Sequence, residues 1–142
     1  MKKYMRAFML ILALFALTAC GNKNTNDAGN SETVKNTYTK ITAKEAILMM
    51  EEESDYIILD VRRPDEFAEK HIPGAINVPN ENIGTDEITE LPNKDQLILV
   101  YCRSGDRSKQ ASEKLVKLGY TNIYEFGGIN SWPGETVKGA TE

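Results

Sequence analysis

At 142 residues the chain has room for one domain, and 41% hydrophobic with 27% charged residues is the balance of a soluble globular protein. Seventeen Lys and Arg against 21 Asp and Glu give a net charge of −4, a surface that disfavours nucleic acid and anionic lipid headgroups as partners. Two cysteines are too few for a disulfide framework.

Residues 1–19 read as a signal peptide. Lys2, Lys3 and Arg6 precede the apolar run Ala7 to Leu17, which is too short to span a bilayer as a mature helix. Leu17-Thr18-Ala19-Cys20 resembles the lipobox of bacterial lipoproteins, in which the cysteine becomes the lipid-bearing first residue after cleavage. An ordinary signal peptide cut near Ala19, or a free anchor helix, is the competing reading. As a lipoprotein the chain would carry acyl chains on Cys20 and sit in the bacterial cell envelope, extracytoplasmic and membrane-anchored, since two or more chains hold stably where one does not. Residues 20–37, rich in Asn, Thr, Ser, Gly and Lys, are expected to be a flexible polar tether, because they cannot bury enough apolar surface to offset ordering. The folded domain is expected over residues 38–142.

That domain opens with a short edge strand, Tyr38 to Ile41. Thr42-Ala43-Lys44-Glu45 is a capping-box pattern, so a helix is expected up to Glu53, with Ile47, Leu48 and Met50 on its apolar face. Tyr56 to Val61 reads as a buried strand, and Pro64 to Lys70 as a short helix with proline in its first turn. Asp60 and Arg62 stand where that strand ends, the edge of an open α/β sheet that forms the ligand crevice. They are supporting candidates, with Asp60 read as a structural acceptor rather than a catalytic group. A third strand is expected over Ile76 to Pro79, a loosely amphipathic helix over Ile83 to Leu91, and a last strand over Thr121 to Phe126. Strands alternating with helices specify a mainly parallel sheet of about five short strands, covered on both faces, a three-layer α/β/α fold.

The chemistry concentrates between Leu97 and Leu118. Leu97 to Tyr101 is a buried strand, and Ser108 to Leu118 has Ala111, Leu115 and Leu118 at helical spacing with Gly119 as the stop. Cys102 therefore sits where a strand turns into a helix. Gly105 permits the positive φ that lets successive N–H groups point inward, and amides together with a helix N-terminus favour a thiolate. The competing reading is a buried strand-end cysteine beside two solvated arginines.

Cys102-Arg103-Ser104-Gly105-Asp106-Arg107-Ser108 resembles the active-site loop of rhodanese-like sulfurtransferases. Leu59 to Phe67 with His71-Ile72-Pro73-Gly74-Ala75 resembles their second signature, and Gly127 to Trp132 extends the likeness across about Tyr38 to Val137. The resemblance implies the rhodanese fold and a transferase that carries sulfur as a Cys102 persulfide. Cys102 would be catalytic, with Arg103, Ser104, Gly105, Asp106 and Arg107 binding substrate through their amides and the two guanidinium groups. It also implies that His71 belongs to a structural turn rather than acting as a base. Trp132 is expected to pack over the core, while Pro133-Gly134 interrupts a helix that family members commonly continue.

The expected substrates are small sulfur-containing anions (thiosulfate, polysulfide or a persulfide) with cyanide, a thiol or a protein cysteine as acceptor. No metal-ligand cluster or phosphate-binding glycine fingerprint is present, and no cofactor is called for. Four residues separate Cys102 from Arg107, one fewer than in the loop of cysteine phosphatases, which disfavours phosphatase or arsenate reductase chemistry. A non-catalytic sulfur-carrier or partner-docking module needs the same loop and stays open.

Overall fold

The computed structural model describes residues 37–84 and 86–139. The segments expected to be signal peptide, lipobox with Cys20, and nearly all of the expected tether lie outside the described residues. Five strands form one parallel sheet in the order β1-β5-β4-β2-β3, with β1 at Thr39–Lys40, β2 at Tyr56–Asp60, β3 at Ile76–Asn77, β4 at Leu97–Cys102 and β5 at Ile123–Gly128. Helices α1 (Ala43–Glu52), α2 (Pro64–Glu69) and α3 (Asp106–Lys117) cover it. This is the expected three-layer arrangement.

The layering follows from strand periodicity. Ile98, Val100 and Cys102 join the core that contains Ala111 and Leu115 of α3, whereas Leu99 and Tyr101 join the one that contains Ala46 of α1 and Phe67 of α2. Every residue of β4 is buried, as a central strand covered on both faces requires. Each helix is closed by its own chemistry. Thr42 and Glu45 form the capping box of α1. At the end of α3, Gly119 takes φ +90° and donates to Val116, while Tyr120 donates to Leu115, the paired bonds of a Schellman turn.

Boundaries differ modestly from expectation. The edge strands β1 and β3 are two residues each, and α3 begins at Asp106 rather than Ser108. Among the described residues of Ile83 to Leu91 the expected helix does not form; a 3-10 turn at Asn80–Asn82 is followed by irregular chain over residues 83–84 and 86–91. Gly84, Thr89 and the β-branched Ile83 and Ile88 are weak helix formers, and Ile83, Ile88 and Leu91 are each buried from this irregular backbone. Three core anchors outweigh a faint helical period. Among the described residues no helix is long and apolar enough to cross a membrane.

Candidate active site

Cys102 is the last residue of β4, opposite Gly128 of β5, and the register shifts between Val100 and Cys102. Such an irregularity bends a strand locally and re-aims the side chains beyond it. Gly105 then takes φ +116°, a conformation that disfavours any side chain, and its N–H donates to Cys102 Sγ at 3.1 Å. Close packing seals the turn from behind. A Cβ on Gly128 would collide with the Arg103 carbonyl and the Ser104 nitrogen, so only glycine lets β5 approach the loop.

Cys102 is 1% exposed and packs into the α3-side core. Burial pushes its thiol up, but the Ser108 hydroxyl and the amides of Ser108, Gly105 and Ser104 favour the thiolate, and the net shift is below the ordinary cysteine value. The hydroxyl has one proton and several claimants. Ser108 Oγ lies 2.6 Å from Glu125 Oε1, 2.9 Å from the Gly105 carbonyl and 3.1 Å from the Gly127 carbonyl. Glu125 is thus the nearest acceptor and competes with the sulfur for that proton, leaving the Gly105 amide as the donor with clear hydrogen-bond geometry.

The residues singled out from the sequence do not all face the sulfur. Arg107 is held in a fork by Glu66, Nη1 to Oε2 at 2.6 Å and Nη2 to Oε1 at 3.0 Å, though the Cys102 charge still contributes to stabilising its cationic form. Arg103 is exposed and lines a hollow of about 390 Å³ that also has Arg62, Glu66 and Asn130 on its wall; the Asn130 amide donates to the Arg103 carbonyl. Ser104 and Asp106 are exposed on another flank, with Lys109 and Tyr38.

Asp60 and Arg62 form a buried pair, 0% and 4% exposed. Arg62 Nη2 lies 2.6 Å from Asp60 Oδ2, and the same nitrogen donates to the Lys70 carbonyl. Asn77 ties the backbone carbonyls of both residues. Asp60 is thus an acceptor for both the backbone and the side chain of Arg62, and the pair fixes the chain that leads into α2. His71 is likewise structural: it stacks on Phe67 at 3.9 Å, its Nδ1 pairs with the Phe67 carbonyl, and its backbone bridges Val137. Trp132 packs against Phe126 at the edge of the α1 and α2 core, as expected.

Two residues of the site are not singled out by the sequence. Glu66 matters because α2 lies across from the loop, and Glu125 because β5 passes beneath Ser108, also accepting from the Gly127 amide at 2.8 Å. Alternation along β5 could at most have marked Glu125 as an inward-facing carboxylate. Among the described residues no group of His, Cys, Asp and Glu is placed to hold a metal ion.

Comparison with known proteins agrees with this geometry. A thiosulfate sulfurtransferase of Escherichia coli, PspE, is 37% identical over 81 residues, 57% of this chain and 78% of its own length. The thiosulfate sulfurtransferase GlpE of Pseudomonas entomophila is 30% identical over 110 residues, 74% of this chain and 97% of its own length. Among solved structures, a rhodanese with anions from E. coli superposes with a TM-score of 0.55 at 36% identity, covering 59% of this chain and 99% of that one. A rhodanese-like domain protein from Staphylococcus aureus gives 0.60 at 30% identity, covering 68% and 93%. Residues 42–135 match the model of the rhodanese-like domain, and the chain belongs to that family.

Proposed function

We propose that the protein is a rhodanese-type sulfurtransferase that carries sulfane sulfur as a Cys102 persulfide. The observation that supports this most directly is the Gly105 amide donating to Cys102 Sγ in a turn whose surroundings favour the thiolate. In the first half-reaction the thiolate attacks the outer sulfur of thiosulfate; the S–S bond breaks and sulfite leaves with the electron pair. A polysulfide or an organic persulfide would serve as donor in the same way. The transferred sulfur sits about 2 Å beyond Sγ, the length of a disulfide bond, and its charge meets the loop amides. Cyanide or a thiolate then attacks that outer sulfur, and the bonding pair returns to Cys102. The cycle as written uses no metal or cofactor.

Sulfur transfer is also the activity for which PspE and GlpE are named, and the loop spacing argues against phosphatase chemistry. The test is intact-mass measurement of the full chain after incubation with thiosulfate or polysulfide. One added sulfur is expected, absent in Cys102→Ser; no adduct with any sulfane donor would overturn the reading. A second reading, a sulfur carrier that hands on to a docked protein with little turnover on small acceptors, is favoured by the near-complete burial of Cys102. Slow turnover with every small acceptor, beside a stable persulfide, would select it.

For location we propose cleavage before Cys20, lipidation of that residue and residence on the outer side of a bacterial membrane, with residues 20–37 as tether and 38–142 as the domain. The support is the order of basic residues, short apolar run and Leu17-Thr18-Ala19-Cys20. Metabolic labelling with a fatty acid, lost in Cys20→Ala, tests it.

A further inference from the structure

The residues after Trp132 form a strap rather than a continued helix. Trp132 Nε1 donates to the Glu135 carbonyl at 3.1 Å, and Val137 exchanges two backbone hydrogen bonds with His71, at 2.8 and 2.9 Å. Gly139 then donates to the Ala68 carbonyl at 2.8 Å. Lys138 is thereby fixed on both sides against the end of α2. It lines the same hollow as Arg103, the residue directly after Cys102.

The charges of that hollow are unbalanced. Arg62 is engaged by Asp60, and Glu66 by Arg107. Lys70, Arg103 and Lys138 remain, brought from three separate elements, with Glu69 as the one other carboxylate on the wall. No ion pair among the described residues engages any of these three cations. Gathering like charges costs self-repulsion that an anionic ligand would relieve, and the sign is opposite to the net charge of −4. A volume of about 390 Å³ falls in the range of sites for small organic ligands and is ample for more than a five-atom inorganic anion.

We propose that Lys138 and Lys70 form a second anion subsite beside the Cys102 loop, which holds the carboxylates of an organic thiol or persulfide. The proposal rests on the sulfur-transfer reading and names its substrate class. With such a thiol as acceptor, its thiolate attacks the outer sulfur of the Cys102 persulfide. A new S–S bond forms, the persulfide bond breaks, its electron pair returns to Cys102 as thiolate, and the transferred sulfur keeps its negative charge as the anion of the organic persulfide. The reverse step loads Cys102 from the organic persulfide. Lys138 acts on specificity and touches the carboxylate end of the substrate rather than the reacting sulfur.

The test compares mercaptosuccinate with 2-mercaptoethanol as acceptors for the full chain loaded from thiosulfate. In the wild type, kcat/KM should favour the dicarboxylate. Lys138→Glu should lower the ratio of the two kcat/KM values about fivefold, through KM, with a smaller loss in Lys138→Ala and in Lys70→Ala. Equal ratios in wild type and variants would overturn the subsite. Calorimetric titration with succinate gives a readout without sulfur transfer: binding is expected in the wild type and should weaken in Lys138→Glu. Absent succinate binding overturns the subsite even where the persulfide forms, whereas Lys138-dependent binding without any persulfide overturns the sulfur-transfer reading instead.

Discussion

Arg107 and Glu66, 41 residues apart in the chain, meet in a two-bond fork that ties the loop after Cys102 to helix α2. Glu66 also accepts from the Arg63 amide at 3.3 Å, so one carboxylate closes the start of α2 and clamps the loop. The Arg107 hydrogen bond holds its pKa at about 2, below the ordinary 4.5, despite the opposing effect of partial burial. Because the folded carboxyl binds its proton less readily than the unfolded one, the pair stabilises the fold fully above pH 4.5 and loses that effect as pH falls toward about 2. Glu66→Gln should cost about 1 kcal/mol at neutral pH, with the gap to wild type closing through that acid window in thermal melts. A gap that stays constant from neutral pH down through it would refute the pairing.

The thiolate of Cys102 should appear, by its ultraviolet absorbance, with a midpoint below that of an ordinary cysteine. Ser108→Ala removes the hydroxyl donor and should move the midpoint up. Glu125→Ala releases that hydroxyl toward the sulfur and should move it down, while leaving the Gly127 amide without its partner at a cost of about 1–3 kcal/mol. Identical midpoints in all three proteins would mean that Ser108 does not act on the sulfur.

Removing one member of the buried Asp60–Arg62 pair should be costly. Arg62→Met leaves the wholly buried Asp60 without its counter-charge, and urea unfolding should show a loss of about 3–5 kcal/mol. The double variant Asp60→Leu with Arg62→Met should lose less than the sum of the single changes. Simple additivity would deny the coupling.

Gly128→Ala puts a methyl group where the Arg103 carbonyl already lies. Either β5 or the Cys102 loop must shift, so persulfide formation should slow about tenfold or more, with about 1–3 kcal/mol of stability lost to strain. Wild-type rates in this variant would show that the loop tolerates displacement.

What was legible in the sequence is whatever local physics encodes. The hydrophobic runs of β2 and β4, the Thr42-Glu45 box and the Gly119 stop name their elements because each depends on residues a few positions apart. The Ile83 to Leu91 stretch misleads for the same reason, since its three apolar residues satisfy a weak helical period while being anchored by a core that forms only on folding.

The sequence by itself determined the position of Cys102 between a strand and a helix and the glycine that turns the chain there, for these need only neighbouring residues. Tertiary structure alone decided what surrounds them. Glu66 takes Arg107, Glu125 competes for the Ser108 proton, and the strap sets Lys138 beside Arg103. A salt bridge or a shared proton depends on distance in space, and residues tens of positions apart acquire a fixed distance only once the parallel sheet has brought their elements together.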